Sequence, residues 1–399
     1  MMSPSILLAA PHRLPFLGGA IGIGGLASWW LIHVLGLYGD GPLPPQTELP
    51  ASLLHGPAMI YLGLAPFIFG FLLTVFPRWM SLPDLSAKQV GPAACALFAG
   101  VVTAQLGLWT GSDRLVLAGF GLAGAGWVLA SIMLAIVLYR NRAQSGPRCT
   151  HGWSAMAGIL FGLAGILCAV AFIALRDPAW LPIANRIGIS GFLLPVFLTV
   201  AHRMVPFFAG NVVKDYISWR PDWLLALLWA LLLARLVGEV LNLGHMQTGA
   251  NAGLAVTTAV MCWRWWPKAS APGLLNVLIW GFAWAPVGFA FAAVDAAFGL
   301  FGRGPDHALM IGFCCSLLVA MVTRVTQGHS GRPLVMPMVS WVAFYGIQIA
   351  TISRAAAALQ SESGSWLMLG AAAFAVSLLP WVIRNGAIYL SPRIDGKQG

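Results

Sequence analysis

LLHGPAMIYLGLAPFIFGFLLTVFP, residues 53–77, is the stretch on which the fold turns. It contains no Asp, Glu, Lys or Arg. At about 1.5 Å rise per residue, a helix of this length crosses a hydrocarbon core of about 30 Å. Segments of the same kind recur to either side. Over 399 residues only 9% are charged, against about 25% in soluble domains, and the mean hydropathy is +0.82. No polar segment is long enough to form a separate soluble domain. The sequence therefore predicts an all-α, polytopic membrane helical bundle forming one integral membrane domain over 1–399.

Twelve spans are expected, at roughly 14–38, 53–76, 88–109, 114–139, 152–175, 184–203, 222–243, 247–266, 274–298, 305–326, 333–352 and 364–390. Backbone groups in lipid must satisfy their hydrogen bonds within the segment, so each span is helical. Faces such as Gly18, Gly19, Gly22 and Gly25 allow helices to approach closely. The 18 tryptophans suit side chains that settle at lipid headgroups. The first ten residues lack the charged start and cleavage site of a signal peptide, so 14–38 is expected to remain as the first span. No internal repeat stands out.

Basic residues orient the bundle. With a cytoplasmic N-terminus, sixteen of the 22 Lys and Arg fall in inner loops and tails, among them Arg140, Arg142, Arg148 and Lys397. Arg114, Arg176, Arg186, Arg303 and Arg354 fall outside, and Arg235 lies within a span. Basic residues concentrate on the cytoplasmic side of membrane proteins, so both termini are expected inside. The net charge of +10 is thus a matter of topology, and no nucleic-acid partner is implied. The six cysteines form no CxxC and none lies in an outer loop, which argues against a disulfide framework. No GxxxxGK[ST] phosphate loop occurs, which excludes a nucleotide-driven enzyme of that type.

With so few charges, the eight histidines are the informative residues. Topology places His33, His55, His245 and His307 near the outer face, and His12, His202 and His329 near the inner face. His151 falls in a basic inner loop, where solvation is expected. His55 and His307 open the second and tenth spans at a common depth. Two imidazoles at one depth could ligate one haem b iron, or make ordinary interfacial hydrogen bonds. Met59 at i+4 from His55 and Met310 at i+3 from His307 would share the helix face of their histidines, packing on a porphyrin or offering soft ligands to copper. Arg303 could pair with haem propionates. His12, His202 and His329 could bind a second haem or a copper ion. Within the spans, Arg235 and Glu239 read as an internal ion pair or a proton path. Asp295 reads as a proton acceptor or a cap, and Cys314–Cys315 read as packing residues. No catalytic residue can be named.

Four blocks carry a family resemblance: PHRLPFLGGA from Pro11, HGPAMIYLGLAPFIFGFLLTVFPRW from His55, GFLLPVFLTVAHRMVPFF from Gly191, and HALMIGFCCSLLVAMVTRVTQGHSGRPL from His307. Over most of its length the chain resembles the NnrS family, haem- and copper-containing membrane proteins of nitric oxide metabolism and nitrosative-stress defence. Some members carry a further His and a Glu in the second-span motif, where this chain has Pro57 and Ala58. A weaker resemblance is to the catalytic subunits of haem–copper oxidases and nitric oxide reductases. It rests on HGPAMIY with Pro66, Gly70, Phe71 and Pro77, and implies His55 and His307 as ligands of a low-spin haem. The departures are definite. Pro305 stands where that superfamily has the ligand of the catalytic haem, and the copper-binding histidines of the sixth and seventh spans are absent.

The resemblance implies a multi-pass protein of the bacterial inner membrane, with membrane lipid around it. It implies nitric oxide as ligand or substrate, and a quinol or cytochrome donor if NO + NO + 2e⁻ + 2H⁺ → N₂O + H₂O is the reaction. A bis-histidine iron lacks an open position, which suits His55 and His307 to electron transfer rather than catalysis. The alternatives are a non-enzymatic NO or iron-nitrosyl response protein, and a transporter of haem or a metal complex.

Overall fold

The computed structural model describes residues 4–144, 149–360 and 363–396. Arg148 and Lys397 of the orientation argument lie outside them. The described residues form helices and no strand. Among the described residues ten helices are long and apolar enough to cross a membrane: Arg13–Tyr38, Ala51–Trp79, Ala87–Thr110, Asp113–Ala143, Thr150–Leu175, Trp180–Val212, Trp223–Val240, Gly273–Phe298, Gly304–His329 and Gly364–Tyr389. The eighth and eleventh expected spans are also helical, as Gly244–Trp265 and Met338–Ala357. They have 22 and 20 residues, enough length for a bilayer core, but do not join the ten that satisfy both criteria. A polytopic helical membrane protein is the result.

Some boundaries move for identifiable reasons. The eleventh helix begins at Met338 rather than 333, because Pro337 is its N-cap and has an extended backbone (ψ 158°). It runs on to Ala357, so Arg354 sits in the last helical turn and not in a loop. Arg186 likewise lies inside Trp180–Val212. The seventh helix stops at Val240, two residues before Asn242, whose φ is positive at 54°. The fifth starts at Thr150, which places His151 in its first turn. His151 is buried, edge-on to Trp79 at 6.5 Å between ring centroids, so the expectation of a solvated histidine is wrong.

Three spans contain a π-helical turn: Met59–Leu64 in the second, Ile187–Leu193 in the sixth and Ala308–Cys315 in the tenth. Such turns are rare and gather at functional sites. Two begin within four residues of His55 or directly after His307. The i→i+5 pairing widens the turn, so the 3.6-residue spacing used to put Met59 and Met310 on the faces of their histidines no longer fixes where those side chains lie.

The chain divides into two compact units, with boundaries inside the sixth, tenth and twelfth spans and in the loop between the tenth and eleventh helices. In the first unit (1–188, 325–333, 379–399), glycines let the third and fourth spans touch. A Cβ on Gly100 would meet the backbone of Ala123, and one on Gly119 the backbone of Ala104. Gly119→Leu is therefore expected to destabilise by at least about 1–3 kcal/mol, since backbone cannot move aside as a side chain can. Gly121→Leu is the control, because a Cβ there has open space. Size-exclusion profiles after a heating series should separate the two; identical profiles would reject this packing. In the second unit (189–324, 334–378), Gln348 links three spans. Its Oε1 accepts from Trp284 Nε1 at 2.5 Å, and its Nε2 donates to Ser316 Oγ at 2.9 Å.

Candidate metal centres

His12 and His329 come together in the first unit. Their ring centroids are 4.7 Å apart, at 57° between planes. His12 precedes the first span and His329 ends the tenth. His12 is 2% exposed, and its Nδ1 is buried with no hydrogen-bond partner. Burial, then the neighbouring charges of His329, Arg13 and Arg78, hold its pKa well below the usual imidazole value. It is therefore a neutral ring with a lone pair, the form that binds metals. Nε2 of His329 lies 3.4 Å from Nη1 of Arg78, and a guanidinium can only donate, so that nitrogen is the acceptor. Arg78 is otherwise held by Asp84 through two contacts of 3.0 and 2.9 Å.

The separation selects among ligands. Two imidazoles on opposite faces of one iron have centroids about 6 Å apart, because each metal–nitrogen bond is about 2.0–2.1 Å and the ring centre lies beyond it. On a tetrahedral ion the same bonds bring them to about 5 Å. The observed 4.7 Å is too short for a haem held between them and is close to the spacing of two ligands on one small ion. Among the described residues no three His, Cys, Asp or Glu gather closely enough to hold a metal. An ion here would have two such protein ligands and open positions.

His202 belongs to the second unit. It is fully buried, edge-on to Trp265 at 6.3 Å, and bonds to the backbone of Pro221. Proline offers only a carbonyl, so the imidazole is the donor.

In the first unit His55 is stacked on Trp30 at 3.9 Å and 20°. Trp30 in turn stacks on His33 at 5.2 Å. His33 is 5% exposed, and its Nδ1 is buried without a partner. The sequence reading placed His33 in the outer layer but not in the site. The missed signal was Trp30 and His33 at i, i+3, one face of the first span.

In the second unit His307 Nδ1 lies 2.8 Å from the carbonyl of Arg303. The carbonyl accepts, so Nδ1 carries the proton and Nε2 keeps its lone pair. Metal-binding histidines commonly have this arrangement. Arg354 Nη2 also approaches Nδ1, at 3.4 Å; the shorter contact, to a group that can only accept, decides the tautomer. The Arg303 side chain is exposed and 3.8 Å from Asp306.

Arg235 and Glu239 do pair, at 2.7 Å, and Arg235 also reaches Asp306 at 3.2 Å. Ser190 donates to Glu239 at 2.9 Å. Asp295 accepts from the backbone N–H groups of Phe301 (2.6 Å) and Gly302 (3.1 Å), which makes it a loop cap. Cys314 and Cys315 are buried free thiols.

A family model described as NnrS protein matches residues 6–393 of the chain. Comparison with curated proteins gives no match.

Proposed function

The chain belongs to the NnrS family, a membership that fits a nitric-oxide-related membrane protein, and on that premise we propose that it binds and reduces nitric oxide using haem b and copper. His12 and His329 would hold copper, and His55 and His307 would each ligate haem iron. The metals would supply one-electron exchange and, at the two-histidine ion, positions open to nitric oxide. The observation that supports this reading best is the His12–His329 pair: a buried neutral imidazole beside a second one at the spacing of a shared ion.

The chain's own residues have definite tasks in this scheme. Trp30 fixes the plane of the His55 ring. The Arg303 carbonyl fixes the His307 tautomer. Arg78 competes with metal for the lone pair of His329. Electrons would come from a quinol or cytochrome of the bacterial inner membrane.

Optical spectra of the purified, haem-supplied protein, oxidised and reduced, test the haem assignment. Wild type is expected to show low-spin b-type bands. His55→Ala and His307→Ala should each abolish them or convert them to high-spin, because either loss removes an axial ligand. Unchanged bands in both variants would remove these histidines from the site. A wild type without haem would leave the transporter reading.

A further inference from the structure

The end of the first unit where His12 and His329 meet also gathers arginines. Arg13 opens the first span, Arg332 follows the tenth, and Arg384 lies in the last turns of the twelfth. Arg13 is 3% exposed, and its Nη1 donates to the carbonyls of Tyr389 (3.3 Å) and Ser391 (2.8 Å). That bond anchors the chain leaving the twelfth span. The tail then holds the loop after the tenth: Ile394 N–H donates to the Ser330 carbonyl at 3.1 Å. Gly331 sits at φ +74°, where a Cβ would strike the Asp395 carboxylate. Arg332 N–H closes the same loop on the Gln327 carbonyl at 3.0 Å. The cluster is thus held by backbone bonds.

Its charge is not balanced from within. The charge of Arg332 bears on both Arg13 and Arg384, and that of Arg393 on Arg13. Arg393 is neutralised by Asp395, at 2.8 and 2.6 Å, and Arg78 by Asp84. Among the described residues no acid forms an ion pair with Arg13, Arg332 or Arg384. Two donors in this cluster are also buried without a partner. One is Arg332 Nη1. The other is Nδ2 of Asn385, a residue 1% exposed. Asn385 Oδ1 accepts from Arg384 Nη1 at 3.5 Å, so the unpartnered Nδ2 on the same amide lies beside that guanidinium. Turning the amide over would set an N–H₂ against an N–H, so the orientation stands. Buried N–H groups without an acceptor are costly, and like charges crowded together add to that cost. Both costs vanish with one kind of occupant, an anion with several acceptor oxygens. Span ends lie at headgroup depth, where basic pockets between helices take phospholipid headgroups.

We propose that Arg13, Arg332, Arg384 and Asn385 form a binding site for a phosphate group, supplied by an anionic phospholipid or by free phosphate. Arginine forks match phosphate oxygens in pairs, and the Asn385 amide supplies a neutral donor from the twelfth span. The site needs neither metal.

The test uses the full-length protein in nanodiscs of phosphatidylcholine alone, of phosphatidylcholine mixed with phosphatidylglycerol, and of phosphatidylcholine with added inorganic phosphate. Thermal unfolding is measured in each. Phosphatidylglycerol is expected to raise the unfolding temperature of wild type by about 5 °C, the linkage expected of a ligand that binds only the folded state. If inorganic phosphate gives the same rise, the source is the free anion; if only the lipid does, it is a headgroup. Either result supports the site. Arg332→Gln should lose the increment. Asn385→Asp places a carboxylate where the phosphate would sit. It is expected to be more stable than wild type in phosphatidylcholine alone and to gain nothing from either phosphate source. Because that variant is read as a gain, a folding failure in Arg332→Gln does not leave the question open. No increment in wild type, or equal increments in wild type and Asn385→Asp, would overturn the proposal.

Discussion

Arg235→Met is expected to lower the stability of the detergent-solubilised protein by about 3–5 kcal/mol, the cost of breaking a buried ion pair by removing one partner. Arg235 is 3% exposed and holds Glu239 and Asp306, whose side chains are 16% and 28% exposed. Without the guanidinium, two carboxylates face each other with no counter-charge between them and only partial exposure. Taking an anion out of water costs several kcal/mol that only a counter-charge offsets. Adding Glu239→Gln and Asp306→Asn to Arg235→Met removes the stranded charges and should recover most of the loss. The control is Glu48→Gln, which breaks an exposed pair with Arg176 and should change stability by about 0–1 kcal/mol. The measurement is the unfolding temperature of each variant at matched protein concentration. If Arg235→Met unfolds with the control, the network contributes no stability and the proton-path reading of Arg235 and Glu239 gains weight.

His12→Ala and His329→Ala are each expected to reduce bound copper from about one ion per chain to a small residue, since losing one of two imidazoles leaves a single ligand. Purified variants would be loaded with copper, exchanged into weakly chelating buffer and measured by elemental analysis. His202→Ala should keep its copper, because one nitrogen of that ring donates to the Pro221 carbonyl and the ring packs edge-on to Trp265. The opposite pattern, with copper lost in His202→Ala and retained in the other two, would remove the His12–His329 pair as the site. Equal copper in all three variants would remove inner-layer histidines altogether.

Much of this protein was legible before any coordinates. A bilayer admits only segments that are long, apolar and internally hydrogen-bonded, and those properties can be counted along a chain. The twelve expected spans therefore recur as helices with modest shifts at their ends. Where ends moved, a local rule was present but underweighted, as with Pro337 at the start of the eleventh helix. The blocks around His55, Gly191 and His307 also sufficed to suggest the family that the match over residues 6–393 establishes.

Proximity was not readable, since it depends on which helices pack side by side. Layering put His12, His202 and His329 at one level; only tertiary structure set His12 against His329 at 4.7 Å. It also turned His202 to Pro221 and buried His151 against Trp79. Asp306 joined Arg235 across 71 positions of sequence, a distance at which no periodicity operates. The π-helical turns were equally invisible, because an i→i+5 turn is held in place by neighbouring packing and has no composition of its own. Composition and length determined that the chain is a multi-pass helical membrane protein, while side-chain packing between distant helices decided which polar groups meet.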